Sequence, residues 1–532
     1  MKRLLWTLVL LLLAVPLLAQ SGGELRFCIY SEPKTFHPLL VEDVSSETVR
    51  YLTAGVLVRL NRATQKVEPA LATSWKVSDN GKRIRFTLLK DVRFSDGTPF
   101  SAADVAYTMQ QMMDPALHST TGDAFRSSSG QVTTRVVSPT EIEIVFPAAV
   151  AGLVELFDTV GILSAKSPQK EMAVLGPFYV AEHKAGSYIL LKRNPNYWKK
   201  DASGRQLPYL DSVRLDIQQN DEIQALRYSR GEIHLINKLP PGIFEKLSQQ
   251  SAPVQDAGIS TDTEQLWFNQ VSAAPIPDYK RVWFASTNFR RAVSEAINRA
   301  DLARIVFHQH ASPAVGVVSP ANKFWFNSKL KVHPFDPASA LRRLQQDGFH
   351  MENAVLRDKA GNEVEFSIIS RAGDEARQQM ATMIQSDLKS IGIKVNVVPL
   401  DFSSLIDRIT STFNYEACIL GLTKVTLDPN AQMNVWLSSA DTHQWNPSQK
   451  SPATTWEAEI DRLMRAQASA VDDHTRKQYW DRVQEIAWEQ EPFIYLVNKH
   501  TLVAIASSVK NAQPSALFPQ AFWNAEQISL NH

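Results

Sequence analysis

Residues 69–109 constrain the fold of this chain more than any other stretch. In their centre, Ile84, Phe86 and Leu88 alternate with polar residues, which predicts a half-buried β-strand. The residues before this strand predict a short turn and a helix that passes through Trp75 to a polar turn. The order predicted for the whole stretch is helix, strand, turn, strand, turn, helix.

The end of this stretch predicts the start of a helix. Gly97 supplies the positive φ of a tight turn, and Pro99 ends any continuing ladder of backbone hydrogen bonds. Ser101 and Asp104 have the spacing of a capping box, in which two side chains satisfy free backbone N–H groups at the first turn. The turn and the capped helix therefore follow the strand directly.

In this order, the residues of the stretch resemble the signature of the periplasmic solute-binding proteins of peptide and nickel ABC importers. The matching positions are Pro69, Leu71, Ala72, Ser74, Trp75, Gly81, Lys82, Phe86, Leu88, Val92, Phe94, Asp96, Gly97, Pro99, Phe100, Asp104 and Val105. The resemblance implies an α/β fold, the two-lobed periplasmic binding protein fold with a hinge and an extra β-rich subdomain.

The resemblance extends over nearly all of the chain that follows the first residues. Later landmarks of the family match at 175–179, 193–198, 208–211, 288–299 and 336–349. The division that the resemblance implies is lobe I at 20–50, 174–262 and 491–532, a β-rich subdomain at 51–173 packed on lobe I, and lobe II at 263–490.

Hydrophobic periodicity independently predicts an α/β arrangement for residues 263–490. Five apolar residues share one face of a helix: Phe289, Ala292, Val293, Ala296 and Ile297. A strand at 364–370, a helix at 374–391 ended by Gly392, and a strand at 393–398 then form a βαβ unit. Such a unit predicts a partly parallel sheet.

Residues 1–19 predict a cleavable secretory signal peptide. Lys2 and Arg3 precede an apolar run that ends at Ala19. This run is shorter than the roughly 20 residues of a membrane-spanning helix and contains Pro16, so an uncleaved anchor is the less favoured alternative. Gln20 stands where a bacterial lipoprotein carries cysteine. We therefore expect a soluble protein exported to the periplasm.

The charge balance argues against two classes of partner. The 532-residue chain has 56 basic and 55 acidic side chains and a formal net charge of +1. Neither nucleic acid nor an anionic membrane surface is therefore favoured. Its two cysteines, Cys28 and Cys418, lie in apolar runs far apart and could be two buried small hydrophobes or one disulfide.

The sequence carries none of the common enzyme motifs that we sought. It lacks G-x-S-x-G, H-E-x-x-H and the phosphate-binding pattern G-x-x-x-x-G-K-[ST]. His308 and His310 are the best metal candidates, but on a helix two residues at i and i+2 point roughly 200° apart. They would bind one ion only if the helix has ended. We therefore expect no catalytic residue, no cofactor and no metal.

The predicted ligand site departs from the family pattern in one loop. Peptide-binding members carry a string like G-W-x-x-D-x-x-D-P, whose first Asp pairs with the α-amino group of the ligand. Here Leu422 replaces the Trp and Val425 replaces that Asp, with Thr423 and Lys424 between them. A buried ammonium without a carboxylate costs several kcal/mol. We expect a ligand without a free α-amino group, such as an N-blocked peptide, an oligosaccharide or an organic acid complex.

Further candidate ligand contacts lie outside this loop. Ser31 and Glu32 follow the first predicted strand, and Glu32 could meet a ligand cation or be a solvated turn carboxylate. Arg371 stands where dipeptide-binding relatives hold a ligand carboxylate, although it could form a salt bridge between the lobes. Lys424 could favour an anion or be solvated, and Trp445 could line the cleft or belong to a core.

The resemblance implies the solute-binding component of an ABC importer. Such a protein captures a small-molecule or peptide solute and presents it to an inner-membrane permease and its ATPase subunits, and we expect it to be a monomer. Presentation of a ligand to a sensor would use the same cleft. A secreted hydrolase is the least favoured alternative, because the sequence marks out no nucleophile.

Overall fold

The computed structural model describes residues 22–123, 125, 130–167, 172–422 and 427–531. The strands are β1 (Glu24–Ile29), β2 (Val58–Leu60), β3 (Val67–Pro69), β4 (Ala72–Ser78), β5 (Arg83–Leu88), β6 (Thr133–Ser138), β7 (Glu141–Val145), β8 (Phe178–Lys184), β9 (Tyr188–Arg193), β10 (Ser212–Ile217), β11 (Leu235–Ile236), β12 (Val254–Phe268), β13 (Ala311–Pro313), β14 (His350–Glu352), β15 (Val355–Arg357), β16 (Glu365–Arg371), β17 (Lys394–Leu400), β18 (Ala417–Leu422), β19 (Phe493–Ile505), β20 (Val509–Lys510) and β21 (Ser529–Leu530). The α-helices are α1 (Val44–Thr53), α2 (Ala102–Met113), α3 (Thr120–Asp123), α4 (Leu153–Leu156), α5 (Asp221–Ser229), α6 (Pro241–Gln249), α7 (Asp278–Ala285), α8 (Thr287–Ala296), α9 (Arg299–Asp301), α10 (Pro337–Gln346), α11 (Glu375–Lys389), α12 (Phe402–Thr410), α13 (Met433–Trp436), α14 (Thr455–Ser469) and α15 (Asp473–Gln490).

One mixed sheet extends through most of the molecule. Its strand order is β17-β16-β18-β12-β19-β11-β1-β10-β9-β8, and β13 adds to β19. The two longest strands, β12 and β19, pair antiparallel from Val254 opposite Ala504 to Trp267 opposite Phe493. We call β12 and β19 the crossing strands, because they join the parts of the sheet on either side.

Separate hydrophobic cores lie on the two sides of the crossing strands. One core includes Leu25, Phe27, Ile189, Leu215, Val503 and Phe522. Another includes Leu266, Phe268, Phe289, Val293, Phe366, Ile384 and Ile419. Because each side buries its own apolar residues, each can act as a unit connected to the other by two strands. The predicted α/β, two-lobed fold is confirmed.

The extra β-rich subdomain is present as a second, antiparallel sheet of order β4-β5-β7-β6. Ile84 and Phe86 on β5 are fully buried and pack with Ile142 and Ile144 of β7 in a core of their own. The alternation that predicted a half-buried strand is therefore confirmed. The predicted capping box is also present, since the backbone N–H of Ser101 donates to Asp104 Oδ2 at 2.8 Å.

The helix expected before Trp75 is a wrong prediction. Residues 72–78 form β4, and Trp75 lies opposite Phe86 of β5. Asp79, Asn80 and Gly81 all have left-handed backbone conformations, with φ of 51°, 51° and 79°. This tight turn folds the chain back on itself. The backbone of β4 therefore forms hydrogen bonds with β5 instead of the internal hydrogen bonds of a helix. The second strand expected before Gly97 is likewise replaced by an irregular segment with one isolated bridge, between Arg93 and Pro99.

The βαβ unit of the second lobe agrees with its prediction. β16 and β17 pair in parallel and α11 connects them. Gly392, with a φ of 79°, follows α11 in the left-handed conformation that ends many helices.

Cys28 and Cys418 are free cysteines, so the described chain has no disulfide between them. Within the described ranges, no helix has the length and apolar character needed to cross a membrane.

A buried carboxylate joins the crossing strands to the second lobe. Glu264 on β12 is 2% exposed. It accepts hydrogen bonds from Arg377 Nε on α11 at 2.8 Å and from Lys499 Nζ on β19 at 2.7 Å. Burial by itself would raise the pKa of Glu264, but the charges of Lys499 and Arg377 lower it to about 2. The carboxylate is therefore ionised and pairs with two cations: Lys499, whose side chain is 26% exposed, and Arg377, which also pairs with Asp374.

We predict that Glu264→Gln lowers the free energy of unfolding by about 3 kcal/mol at pH 7, because Lys499 then loses its ion-pair partner and Arg377 keeps only Asp374. Glu222→Gln is the matched control, since Glu222 forms an exposed pair with Lys246 and should change stability by less than about 1 kcal/mol. Chemical denaturation measures both values.

The lowered pKa of Glu264 also predicts that the loss of stability in this variant depends on pH. A carboxylate with a lowered pKa stabilises the fold above its ordinary pKa of 4.5, and this contribution is lost as the pH falls toward 2. The difference between Glu264→Gln and the natural protein should therefore shrink between pH 4.5 and pH 2. An equal loss of stability in the Glu222 and Glu264 variants would contradict this account of the network.

Candidate functional site

The direction of the strands defines where a ligand site can form. β16 and β18 run parallel, and their carboxyl ends reach the middle of β12, where Leu422 lies opposite Thr263. β1 and β11 run parallel in the opposite sense. β11 pairs with the C-terminal end of β19, and the chain after it continues toward the middle of β19, since the backbone N–H of Leu239 donates to the carbonyl of Leu502 at 2.8 Å. Two sets of strand carboxyl ends therefore face each other across the middle of the crossing strands.

This arrangement fits the general rule that ligands of open α/β sheets bind at the carboxyl ends of strands. The crossing strands are irregular at the same level. Their pairing shifts register between Asp256 and Ile259, between Ile259 and Thr263, and between Glu264 and Gln265. Each shift interrupts the ladder of hydrogen bonds and allows the strand to bend. The region between the two sets of carboxyl ends, which we call the interlobe cleft, is therefore both a candidate ligand site and a candidate hinge.

Arg371 lies on the second-lobe edge of this cleft, as the last residue of β16. Its guanidinium is exposed and lies 5.3 Å from the centre of the Phe402 ring. Within the described ranges it forms no ion pair, whereas the neighbouring Arg377 binds both Glu264 and Asp374. A guanidinium without a carboxylate partner can bind an anionic group of a ligand with two parallel hydrogen bonds.

Ser31 and Glu32 lie on the first-lobe edge, directly after β1. The Ser31 hydroxyl is 3.2 Å from the Ser45 hydroxyl. The Glu32 carboxylate contacts His183 Nε2 and accepts a hydrogen bond from the backbone N–H of Gly186 at 2.7 Å. The bond from Gly186 is the main reason that the pKa of Glu32 is lowered. Glu32 is therefore ionised, but the β8–β9 hairpin already uses both of its oxygens.

Trp445 is a core residue, one of the two alternatives that the sequence left open. Its side chain is fully buried, and its indole N–H donates to Glu457 at 3.0 Å. The ring packs against Trp436 and edge-on against Phe493.

Leu422 is partly buried at the end of β18. Thr423, Lys424 and Val425 lie outside the described residues, so their predicted roles stay predictions.

A cluster of carboxylates lies beside the cleft, where the β-rich subdomain contacts the second lobe. Glu155 on α4 of the β-rich subdomain faces Asp428, Asp473 and Arg476 of the second lobe. Asp428 accepts a hydrogen bond from Arg476 at 2.7 Å, and Arg476 also pairs with Asp473. Burial first, and then the charges of Asp428 and Asp473, raise the pKa of Glu155 to about 7. Sequence patterns did not indicate this cluster, because its members come from distant segments.

Two further contacts connect the same parts of the chain. The side chain of Gln65 donates to the carbonyl of Ala321 at 2.5 Å and accepts from the backbone N–H of Lys323 at 2.9 Å. Gly152 lies so close to Asp428 that an added Cβ would be 2.5 Å from its Oδ2. The subdomain and the second lobe are therefore in direct contact beside the cleft.

A separate pocket of about 290 Å³ lies between the subdomain and the first lobe. Tyr51, Trp198, Trp523 and Glu526 are among its lining residues. The hydroxyl of Tyr197 and the ammonium of Lys199 already bind the carboxylate of Glu526. We therefore place the candidate functional site at the interlobe cleft, where strand ends converge.

Two lobes, crossing strands and a cleft at facing strand ends define a solute-binding protein of the two-lobed class. The comparison with known families agrees. Residues 66–444 match the family described as bacterial extracellular solute-binding proteins, family 5 Middle. This match covers more than half of the chain, so the protein belongs to that family, and an extracellular location follows from it.

Individual relatives agree with this class. The chain is 26% identical over 447 residues to a probable ABC transporter-binding protein of Deinococcus radiodurans, covering 76% of this chain and 74% of the relative. It is 24% identical over 550 residues to the dipeptide-binding protein of Pseudomonas aeruginosa, covering 97% of both. The solved structure of the substrate-binding protein CtaP of Listeria monocytogenes superposes with a TM-score of 0.81 at 21% identity, covering 96% of this chain and 100% of that one. These relatives are named as binding proteins and not as enzymes.

We predict that Glu155→Gln raises the melting temperature at pH 8 but not at pH 5. A carboxylic acid with a raised pKa stabilises the fold while it is protonated, and this contribution is lost as the pH rises from 4.5 to about 7. At pH 8 the neutral glutamine should gain on the order of 1–2 kcal/mol over the ionised glutamate. Thermal melts from pH 5 to pH 8 measure the difference.

Glu42→Gln is the control for this experiment, since Glu42 is exposed at the surface. Its melting temperature should differ from that of the natural protein by the same small amount at every pH. A Glu155→Gln variant with the same behaviour would contradict the proposed burial of Glu155 between two carboxylates.

Proposed function

We propose that this protein is the solute-binding component of an ABC importer of the bacterial cell envelope. It captures a peptide-like or other small organic solute in the interlobe cleft and delivers it to an inner-membrane permease and its ATPase subunits. The observation that carries the proposal is the convergence of two sets of strand carboxyl ends on the irregular middle of the crossing strands. Membership of the family and the names of the relatives support the same function.

We further propose the division of the chain into lobe I at 20–50, 174–262 and 491–532, the β-rich subdomain at 51–173, and lobe II at 263–490. The grouping of buried residues supports three parts, because each main core draws mostly on one of these ranges. Residues near the boundaries are shared, since Tyr51 and Leu52 pack in the first-lobe core and Ile494 and Leu496 pack in the second-lobe core. The contacts of Gln65 and Gly152 with lobe II then belong to the closed state. The protein acts as a periplasmic monomer that is exported by its signal peptide.

The charges around the cleft support a ligand with an anionic group and without a free amine. The carboxylates of Glu264 and Glu32 are each occupied, the first by Arg377 and Lys499 and the second by the β8–β9 hairpin. Arg371 remains as a cation without an ion-pair partner among the described residues. An ammonium entering this site would lose water without gaining a carboxylate, whereas a carboxylate could bind Arg371.

Isothermal titration with trialanine and with N-acetyltrialanine tests this ligand class. We expect the acetylated peptide to bind more tightly, because only the free peptide carries the ammonium. Val425→Asp should improve binding of the free peptide. Arg371→Ala should weaken binding of the acetylated peptide about 10-fold to 100-fold, as expected for the loss of a charge-assisted hydrogen-bonded pair.

Arg342→Ala is the matched control, since Arg342 is an exposed arginine of the same lobe, 4.0 Å from Asp336, and should leave binding unchanged. Tighter binding of the free amine by the natural protein would contradict the proposed ligand class. A thermal-shift screen of peptides, sugars, metal chelates and carboxylates that finds no ligand at all would contradict the proposed solute-binding function itself.

A further inference from the structure

Three potential metal ligands meet on the crossing strands. Asp256 comes from β12, His500 from β19, and His310 from the segment just before β13. Asp256 Oδ2 lies 2.8 Å from His500 Nδ1 and 3.0 Å from His310 Nδ1. One ligand atom from each residue lies within 4.8 Å of the other two. Atoms at such distances can bind the same ion, since a tetrahedral ion places its ligands about 3–3.5 Å apart.

Backbone pairing holds the two histidines together. The backbone N–H of His500 donates to the carbonyl of His310 at 3.0 Å, and Ala311 lies opposite Lys499 in the pairing of β13 with β19. The chain reaches this position through two residues with left-handed backbone conformations, His308 and Gln309, with φ of 50° and 69°. The helical turns at Leu302–Val306 therefore end before His310, so that His310 is turned toward β19 and His308 does not belong to the group.

The Nε2 atoms of His310 and His500 have hydrogen-bond partners as well. His310 Nε2 lies 2.9 Å from Glu245 Oε1 on α6, and His500 Nε2 lies 3.0 Å from the Ser312 hydroxyl. Ligating histidines commonly have this arrangement, in which the second nitrogen is fixed by a carboxylate or another polar group. Both rings thus present Nδ1 to the common point beside Asp256.

The ring of His310 lies between two carboxylates, Asp256 at Nδ1 and Glu245 at Nε2. A cation bound at Nδ1 would leave the Nε2–H group to donate to Glu245. The same cation would also balance the charges of the two carboxylates.

We propose that Asp256, His310 and His500 bind a divalent transition-metal ion of the zinc, nickel or copper type, with Glu245 and Ser312 orienting the two imidazoles. Two imidazole nitrogens and one carboxylate oxygen suit these ions, whereas magnesium and calcium prefer oxygen ligands alone. The side chains of His310 and His500 are 15% and 17% exposed, which gives an ion access from solvent.

The position of this site predicts an effect on the two lobes. Glu245 lies on α6, whose Phe244 and Leu247 belong to a core that also contains Leu502. His310 follows Phe307, which packs in the core of the other side. A bound ion therefore connects segments from both sides of the crossing strands and should restrain their bending.

Titration of the metal-free, untagged mature protein with ZnCl₂ tests the proposal. We expect one equivalent to bind and the melting temperature to rise, with the rise reversed by EDTA. Replacing Zn²⁺ with Co²⁺ should give visible absorption bands of a bound, low-symmetry ion. His310→Gln, Asp256→Asn and His500→Gln should each abolish the stoichiometric binding, and Ser312→Ala should weaken it about 10-fold to 100-fold.

His308→Gln is the matched control, because it removes an exposed histidine two residues from the site and should bind Zn²⁺ like the natural protein. Far-ultraviolet circular dichroism shows whether each variant is folded, and if one ligand variant fails to fold the other two give the same readout. The proposal is overturned if no stoichiometric Zn²⁺ binding occurs, or if folded His310, Asp256 or His500 variants bind Zn²⁺ as tightly as the His308 variant does.

Discussion

The pairing of β12 with β19 is the constraint on which the rest of the structure depends. These two strands are the only members of the large sheet, within the described ranges, that extend from the strands of one lobe to the strands of the other. Glu264 on β12 binds Lys499 of β19 and Arg377 of α11, so the second lobe is attached to both strands at one level. The register shifts lie at Glu264 and in the part of β12 that precedes it, between Asp256 and Thr263. Rigid attachment next to an irregular ladder favours bending at one place.

This arrangement explains how charge and motion can be related. The floor of the cleft contains a carboxylate that two cations already neutralise, and the rim contains a guanidinium without an ion-pair partner in the described chain. At the far side, Glu155 and two aspartates come together where the subdomain meets the second lobe. Attraction between a solute and Arg371 would favour closure, and repulsion among these carboxylates would oppose it. The balance between the two depends on pH.

The sequence predicted the elements whose signal is local. Alternation over Ile84, Phe86 and Leu88 predicted β5, and the apolar face that includes Phe289 and Val293 predicted α8. The strand–helix–strand unit ended by Gly392 was predicted for the same reason. In contrast, Trp75 was placed in a helix, because residues 72–78 alone do not show that a turn will pair them with β5.

Contacts between distant residues could not be predicted in this way. Glu264 and Lys499 are separated by 235 positions, and His310 approaches His500 only because β13 adds to β19. The short pattern around His308 and His310 could not show that His310 lies beside Asp256 and His500 in the fold. The resemblance to solute-binding proteins predicted that the strand ends at Glu32 and Arg371 would contribute to one cleft. It could not show that the β8–β9 hairpin holds Glu32 while Arg371 has no ion-pair partner among the described residues.

Small-angle X-ray scattering with and without a solute identified by the thermal-shift screen tests the central claim most directly. If the crossing strands are the hinge of a solute-binding protein, a saturating solute should lower the radius of gyration. The scattering curve of the complex should then match the one calculated from the present structure, with the contacts of Gln65 and Gly152 formed. Tight binding with no change in the radius of gyration would contradict closure of the lobes about β12 and β19.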